Sequence, residues 1–147
     1  MEEPELVKFL VVEDDDLDFK MLMRTLKKLR INNPVIRAYD GIDALEILKG
    51  EHSVESISLP YIILLDINMP KMNGHDFLKE LRCDENLKRS VVFILTTSAE
   101  CSDLKAAYDR NVAGYILKND ASDSFLNAIT MIDAYIHVVQ VPCKGVV

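Results

Sequence analysis

The sequence predicts a doubly wound α/β domain: a five-stranded parallel sheet with helices on both faces. Three observations lead there. Five short runs rich in β-branched and aliphatic residues have the length and composition of strands buried on both faces. Amphipathic helical patterns of period 3.6 alternate with them. A length of 147 residues is close to one ordinary domain, whose single core buries roughly two-thirds of the surface the unfolded chain exposes.

The elements follow in order. The first strand is Val7–Val12, and in the helix after it Phe19, Leu22, Leu26 and Leu29 share one side while Lys20, Arg24, Lys27 and Lys28 fall nearly opposite. Val35–Tyr39 is the second strand, followed by a helix with Ala44, Leu45 and Leu48 inward. Gly50 to Pro60 is a long connection with no evident chemistry, expected to be a solvated loop. Tyr61–Ile67 precedes a helix that buries Phe77, Leu78 and Leu81; Val91–Leu95 precedes one that buries Leu104, Ala107 and Tyr108. After the fifth strand, Gly114–Leu117, the last helix carries the stripe Phe125, Ala128, Ile129, Ile132, Ile136 and Val139, with Asp120, Ser122 or Asp123 available as N-cap. No repeat or linker interrupts the pattern. Residues 1–147 therefore read as one domain, with a core of about 7–138, a tail of 139–147 and no output module.

Composition removes several function classes. With 17 Lys+Arg against 24 Asp+Glu the formal charge is −7, which argues against direct nucleic-acid binding by phosphate neutralisation. The longest apolar runs, Tyr61–Leu65 and Val91–Leu95, fall far short of the roughly 20 residues a membrane span needs. The start, Met1-Glu2-Glu3-Pro4-Glu5, is acidic where a secretory signal would be basic, so a cytoplasmic location is expected. Cys83, Cys101 and Cys143 have no metal-ligand spacing and read as reduced thiols.

Ligands of such sheets sit outside the carboxyl ends of the strands. Standing there are Glu13, Asp14 and Asp15, then Asp66, then Thr96, Thr97 and Ser98, and finally Lys118. Carboxylates gathered at one edge repel each other unless a cation compensates, and a hard divalent ion such as Mg²⁺ takes carboxylates directly. With Asp66 as nucleophile, Thr96 as hydroxyl and Lys118 as cation, these are the parts that move a phosphoryl group onto an aspartate.

These residues carry a resemblance. Leu10-Val11-Val12-Glu13-Asp14-Asp15, Leu64-Leu65-Asp66-Ile67-Asn68-Met69-Pro70-Lys71-Met72-Asn73-Gly74, Ile94-Leu95-Thr96-Thr97-Ser98 and Tyr115-Ile116-Leu117-Lys118 make the chain resemble the receiver domain of two-component response regulators, over Val7 to roughly Val138. The resemblance implies a flavodoxin-like fold of receiver type, with Asp66 as phosphoacceptor and Mg²⁺ as cofactor. Asp14 and Asp66 would be direct ligands, Glu13 would reach the metal through water, and Asn68 would offer its backbone carbonyl. Thr96 and Lys118 would contact the phosphoryl group, and Tyr115 would be an aromatic switch coupled to Thr96. Implied partners are a sensor histidine kinase or phosphotransfer protein, docking near the first helix, and a downstream protein. The chain would be no enzyme beyond its own phosphorylation and dephosphorylation. The Thr96-Thr97-Ser98 run, the 50–60 loop and the tail 135–142 resemble stand-alone regulators of the kind paired with cyanobacterial phytochromes. Two positions depart from the family pattern. Asn119 stands where many members have proline, so no cis bond is expected after Lys118, and Thr97 is larger than the usual small residue.

Other readings fit less well. Asp14, Asp16 and Asp18 begin like a calcium loop, but Phe19 and Thr25 occupy the positions that require Gly and Glu. Asp16 and Asp18 read better as acids at a helix N-terminus, and the Lys20, Arg24, Lys27, Lys28 stripe as a solvated face. An aspartyl-phosphate phosphatase would need a second aspartate two residues after the nucleophile, where Asn68 cannot transfer a proton. A flavin-type cofactor binder would need a neutral phosphate loop where Glu13–Asp16 repel phosphate. His52, His75 and His137 receive no role. Met131, Tyr135, Val138, Val141, Val146 and Val147 form a second apolar surface, which leaves two readings open: a tail folded over the core, or a homodimer face.

Overall fold

The computed structural model describes residues 6–118 and 122–143, with only the backbone of Ser122 and Asp123. The expectations on Asn119, Asp120, Val146 and Val147 lie outside the described residues.

Five strands form one parallel sheet in the order β2-β1-β3-β4-β5. They are β1 (Lys8–Val12), β2 (Val35–Ala38), β3 (Tyr61–Leu65), β4 (Val91–Thr96) and β5 (Gly114–Leu117). The helices are α1 (Asp16–Lys28), α2 (Gly41–Lys49), α3 (Gly74–Cys83), α4 (Cys101–Asp109) and α5 (Ser122–Val138). Alternation along each strand divides the core in two. Phe9, Val11, Ile62, Leu64, Phe93 and Leu95 face Leu22 and Leu26 of α1 and Phe125, Ile129 and Ile132 of α5. Leu10, Val12, Ile63, Leu65, Val92 and Ile94 face Ala44 and Ile47 of α2, Phe77, Leu78 and Leu81 of α3, and Ala107 of α4. Full burial of each large side chain is worth about 1.5–3 kcal/mol.

Several expectations need correction. Burial on both faces holds for the central strands β1, β3 and β4, whereas the edge strands β2 and β5 are only half-buried. Strand β2 ends one residue early because the Tyr39 N–H donates to the Asp43 carboxylate (2.9 Å) instead of to a neighbouring strand. In α4 only Ala107 is buried; Leu104 is 40 % and Tyr108 50 % exposed, since this helix lies beside the edge strand and has little sheet to cover. Tyr135 is not on a second surface. It packs edge-on against Phe93, ring centroids 5.1 Å apart. Val139 lies past the end of α5 and is exposed, while Val141 packs on the core, so this part of the tail folds back.

The 50–60 loop is more ordered than its composition implies. Nδ1 of His52 accepts the N–H groups of Val54 (3.1 Å) and Glu55 (2.9 Å), its Nε2 lies 2.7 Å from Asp43, and Ile57 and Leu59 pack on the core. His52 therefore has a structural role that its sequence context did not disclose.

Candidate functional site

The strand order reverses between β1 and β3, so a crevice opens outside their carboxyl ends. Strand pairing carries both segments to that point in register: the Glu13 N–H donates to the Ala38 carbonyl (2.9 Å) and the Asp66 N–H to that of Val12 (3.1 Å). Beyond those bonds the backbone leaves the sheet. Asp15 becomes the N-cap of α1, accepting the Asp18 N–H at 3.0 Å, and Asn73 caps α3 in the same way. The two caps turn the chain sharply and leave Glu13, Asp14 and Asp66 standing at the mouth.

The carboxylates of these three residues converge, one oxygen from each lying within 4.8 Å of the others. Lys118, at the end of β5, lies over them with its side chain only 7 % exposed. It bonds Glu13 closely, donates to Asp18 at 3.2 Å, and sits 3.9 Å from Asp66. Asp18 thus contributes an ion pair besides acid at the helix start. Lys118 lies nearer Glu13 than the expected phosphoacceptor.

Charge explains the titration of the group. Burial pushes the Glu13 carboxyl up to about 7, with Lys118 opposing and Asp66 adding to the rise. Burial pulls the Lys118 ammonium down, but Asp66, Glu13 and Asp18 outweigh it and raise it above its ordinary value. An all-oxygen donor set with excess negative charge fits a hard divalent cation, and Glu13, Asp14 and Asp66 are the residues that would hold it.

The raised Glu13 value has a testable sign. The folded chain keeps a proton on Glu13 that the unfolded chain releases near 4.5, so stability falls as pH rises from 4.5 to about 7. A cation that needs the carboxylate reverses this loss only once the proton has left. Mg²⁺ should accordingly raise the melting temperature more at pH 8 than at pH 6, and Glu13→Gln should reduce the difference. Equal Mg²⁺ effects at both pH values in the native chain would contradict it.

Thr96 ends β4 and is fully buried. Among the described residues no hydrogen bond joins it to Tyr115; both meet at Ser98, whose N–H donates to Thr96 Oγ1 (3.3 Å) and whose carbonyl accepts the Tyr115 hydroxyl (2.8 Å). The Ser98 hydroxyl donates to Asp103, which also contacts His75 of α3 at 2.9 Å. Those two contacts hold the Asp103 carboxyl below its usual range. Ser98, Asp103 and His75 therefore latch the β4–α4 loop, a connection that pairwise sequence reading of the histidines missed. Asn68 is exposed, and its N–H donates to Asp66 at 3.3 Å.

A second group, Asp43, Glu46 and His52, also brings ligand-type atoms together. Its chemistry differs. Because Nδ1 of His52 accepts two backbone N–H groups, the neutral ring carries its proton on Nε2 and donates it to Asp43, leaving no nitrogen lone pair for a cation.

Residues 9–130 match the sequence profile of the response regulator receiver domain. The chain belongs to that family. It is 36 % identical over 110 residues to the response regulator Rcp1 of a Synechocystis species, 75 % of each chain being covered. Among solved structures, the phosphorylated cyanobacterial phytochrome response regulator RcpA superposes with a TM-score of 0.83 at 29 % identity, covering 94 % of this chain and 99 % of that one. The Mn²⁺-bound form of Rcp1 gives 0.80 at 30 % identity, covering 93 % and 99 %. The receiver-type fold and the resemblance to cyanobacterial phytochrome regulators hold. Among the described residues no helix is long and apolar enough to cross a membrane.

Proposed function

We propose that this receiver takes a phosphoryl group onto Asp66 from the phosphohistidine of a sensor kinase or phosphotransfer protein, in a Mg²⁺-dependent reaction in the cytoplasm. The convergence of Glu13, Asp14 and Asp66 beneath Lys118 is the observation that carries this reading. An Asp66 oxygen forms the bond to phosphorus while the donor's P–N bond breaks, its electron pair leaving with the histidine nitrogen. The cation, when bound, supplies positive charge for the transferring oxygens. Asp14 and Asp66 would hold it directly, with Glu13 acting through water and Asn68 through its backbone carbonyl. Lys118 shifts from Glu13 toward the new phosphoryl oxygens. Thr96 donates its hydroxyl to them, pulling Ser98 and hence Tyr115, which changes the α4–β5 surface presented to a downstream protein. The exposed Lys20, Arg24, Lys27 and Lys28 of α1 face the donor. Its own phosphorylation and dephosphorylation are the only reactions it catalyses, and the amide of Asn68, unable to deliver a proton, suits storage rather than turnover. Intact mass after Mg²⁺ and acetyl phosphate tests this: one added phosphoryl group is expected, and none with Mg²⁺ chelated. No addition under either condition would overturn it.

The same surface supports a homodimer. Leu104 (40 %), Tyr108 (50 %) and Leu117 (39 %) are exposed on α4 and β5, and burying them is worth about 25 cal/mol per Å². Sedimentation at high micromolar concentration should give a dimer, and a chain ending at Gln140 should retain it, because Val141 already packs on its own core. A full chain that stays monomeric whether or not it is phosphorylated removes this interface.

A further inference from the structure

Strand pairing stops at the Glu13 N–H, so the carbonyls of Glu13 and Asp14 leave the sheet with no strand to accept from. Arg37 supplies the missing donors. From β2, opposite Val11, its Nε donates to the Glu13 carbonyl at 3.1 Å and its Nη2 to the Asp14 carbonyl at 3.3 Å. Nη2 also pairs with Asp16 at 2.9 Å. The guanidinium lies over two rings, its carbon 4.5 Å from the Phe19 centroid and 4.2 Å from that of Tyr39. The Arg37 side chain is 14 % exposed.

We propose that Arg37 is a positioning residue for the metal site: by gripping two successive carbonyls it sets the backbone from which the Glu13 and Asp14 carboxylates project. The inference rests on the reading of Glu13, Asp14 and Asp66 as the cation-binding group. A planar fork matched to two acceptors at once is a property of arginine that lysine lacks. The aromatic walls hold the fork in one orientation, partly desolvated. Partners of this kind commonly tune metal affinity by 10-fold or more.

The opposing effect makes the idea testable. Arg37 adds positive charge close to a cation site, and charge alone would weaken binding. If charge dominates, Arg37→Gln binds the cation more tightly and Arg37→Lys binds like the native chain. If positioning dominates, both variants bind more weakly. Mn²⁺ binding would be measured by calorimetry on the full chain, the native protein, Arg37→Gln, Arg37→Lys and Tyr39→Leu each first checked for a cooperative melt. Asp14→Ala and Asp18→Ala provide reference losses, the first expected to be much the larger.

We expect about a 10-fold loss for both Arg37 variants and a smaller loss for Tyr39→Leu, which removes one wall and leaves the charge. Labelling by acetyl phosphate should return to the native extent at saturating Mg²⁺, since the fault is in affinity. Tighter binding by Arg37→Gln, or native binding by Arg37→Lys, overturns the proposal. Should Arg37→Gln fail to fold, Arg37→Lys and Tyr39→Leu still decide it. A native chain that binds no Mn²⁺ and accepts no phosphoryl group overturns the functional reading itself; native binding with unaltered variants overturns only the role of Arg37.

Discussion

An Asp66→Asn chain incubated with Mg²⁺ and acetyl phosphate should show no gain in mass, while the native chain gains one phosphoryl group. The amide has the shape of the carboxylate but offers no anionic oxygen to phosphorus. It also changes the neighbours. Asp66 helps to raise both Glu13 and Lys118, so its neutralisation should lower both titrations. The substitution relieves repulsion with Glu13 and also gives up the attraction of Asp66 for Lys118, 3.9 Å away, two effects of opposite sign. A cooperative melt of the variant close to the native one separates loss of labelling from loss of fold. Labelling of Asp66→Asn to the native extent would mean that another carboxylate, Asp14 or Glu13, is the acceptor.

Gly74→Ala should be the most damaging small substitution. A Cβ at Gly74 would lie 2.7 Å from both the Asp66 carbonyl oxygen and the Ile67 Cα, backbone atoms that cannot rotate aside. The Gly74 N–H donates to the Ile67 carbonyl at 2.9 Å, so the close approach is part of how α3 begins. Either α3 lifts or Asp66 moves, and overpacking of this kind costs about 3 kcal/mol. Displacement of the acceptor should also slow labelling by roughly 100-fold. Gly41→Ala is the comparison: its Cβ would meet Cγ of Met72 at 2.7 Å, Sδ at 2.9 Å and Cβ at 3.0 Å, so one side chain has to turn about its first bond while no backbone atom is struck, and a smaller loss is expected. Urea unfolding of both variants tests this, and equal destabilisation would refute it.

The legible part of the molecule was that governed by local pattern. Runs such as Val91–Leu95 and stripes such as Phe125, Ile129 and Ile132 declare their structure because burial selects apolar residues at the period of the element. The acids after β1 and β3 were legible as a site because parallel strands must end on one edge. Leu104 and Tyr108 misled for the converse reason: a helical pattern records an apolar face without recording how much sheet lies beneath it.

By itself, then, the sequence determined the fold class, the strand sequence and the carboxylates, hydroxyl and lysine at the sheet edge. Only the tertiary structure decided which groups meet. Arg37 reaches the carbonyls of Glu13 and Asp14 across some 23 positions of sequence, and Lys118 reaches Asp18 across 100. Ser98 joins Thr96 to Tyr115, and Gly74 makes room for Asp66, through contacts equally remote from any repeating pattern. Hydrophobic periodicity encodes burial, which averages over many neighbours, whereas a hydrogen bond between distant residues depends on one orientation that the assembled sheet alone provides.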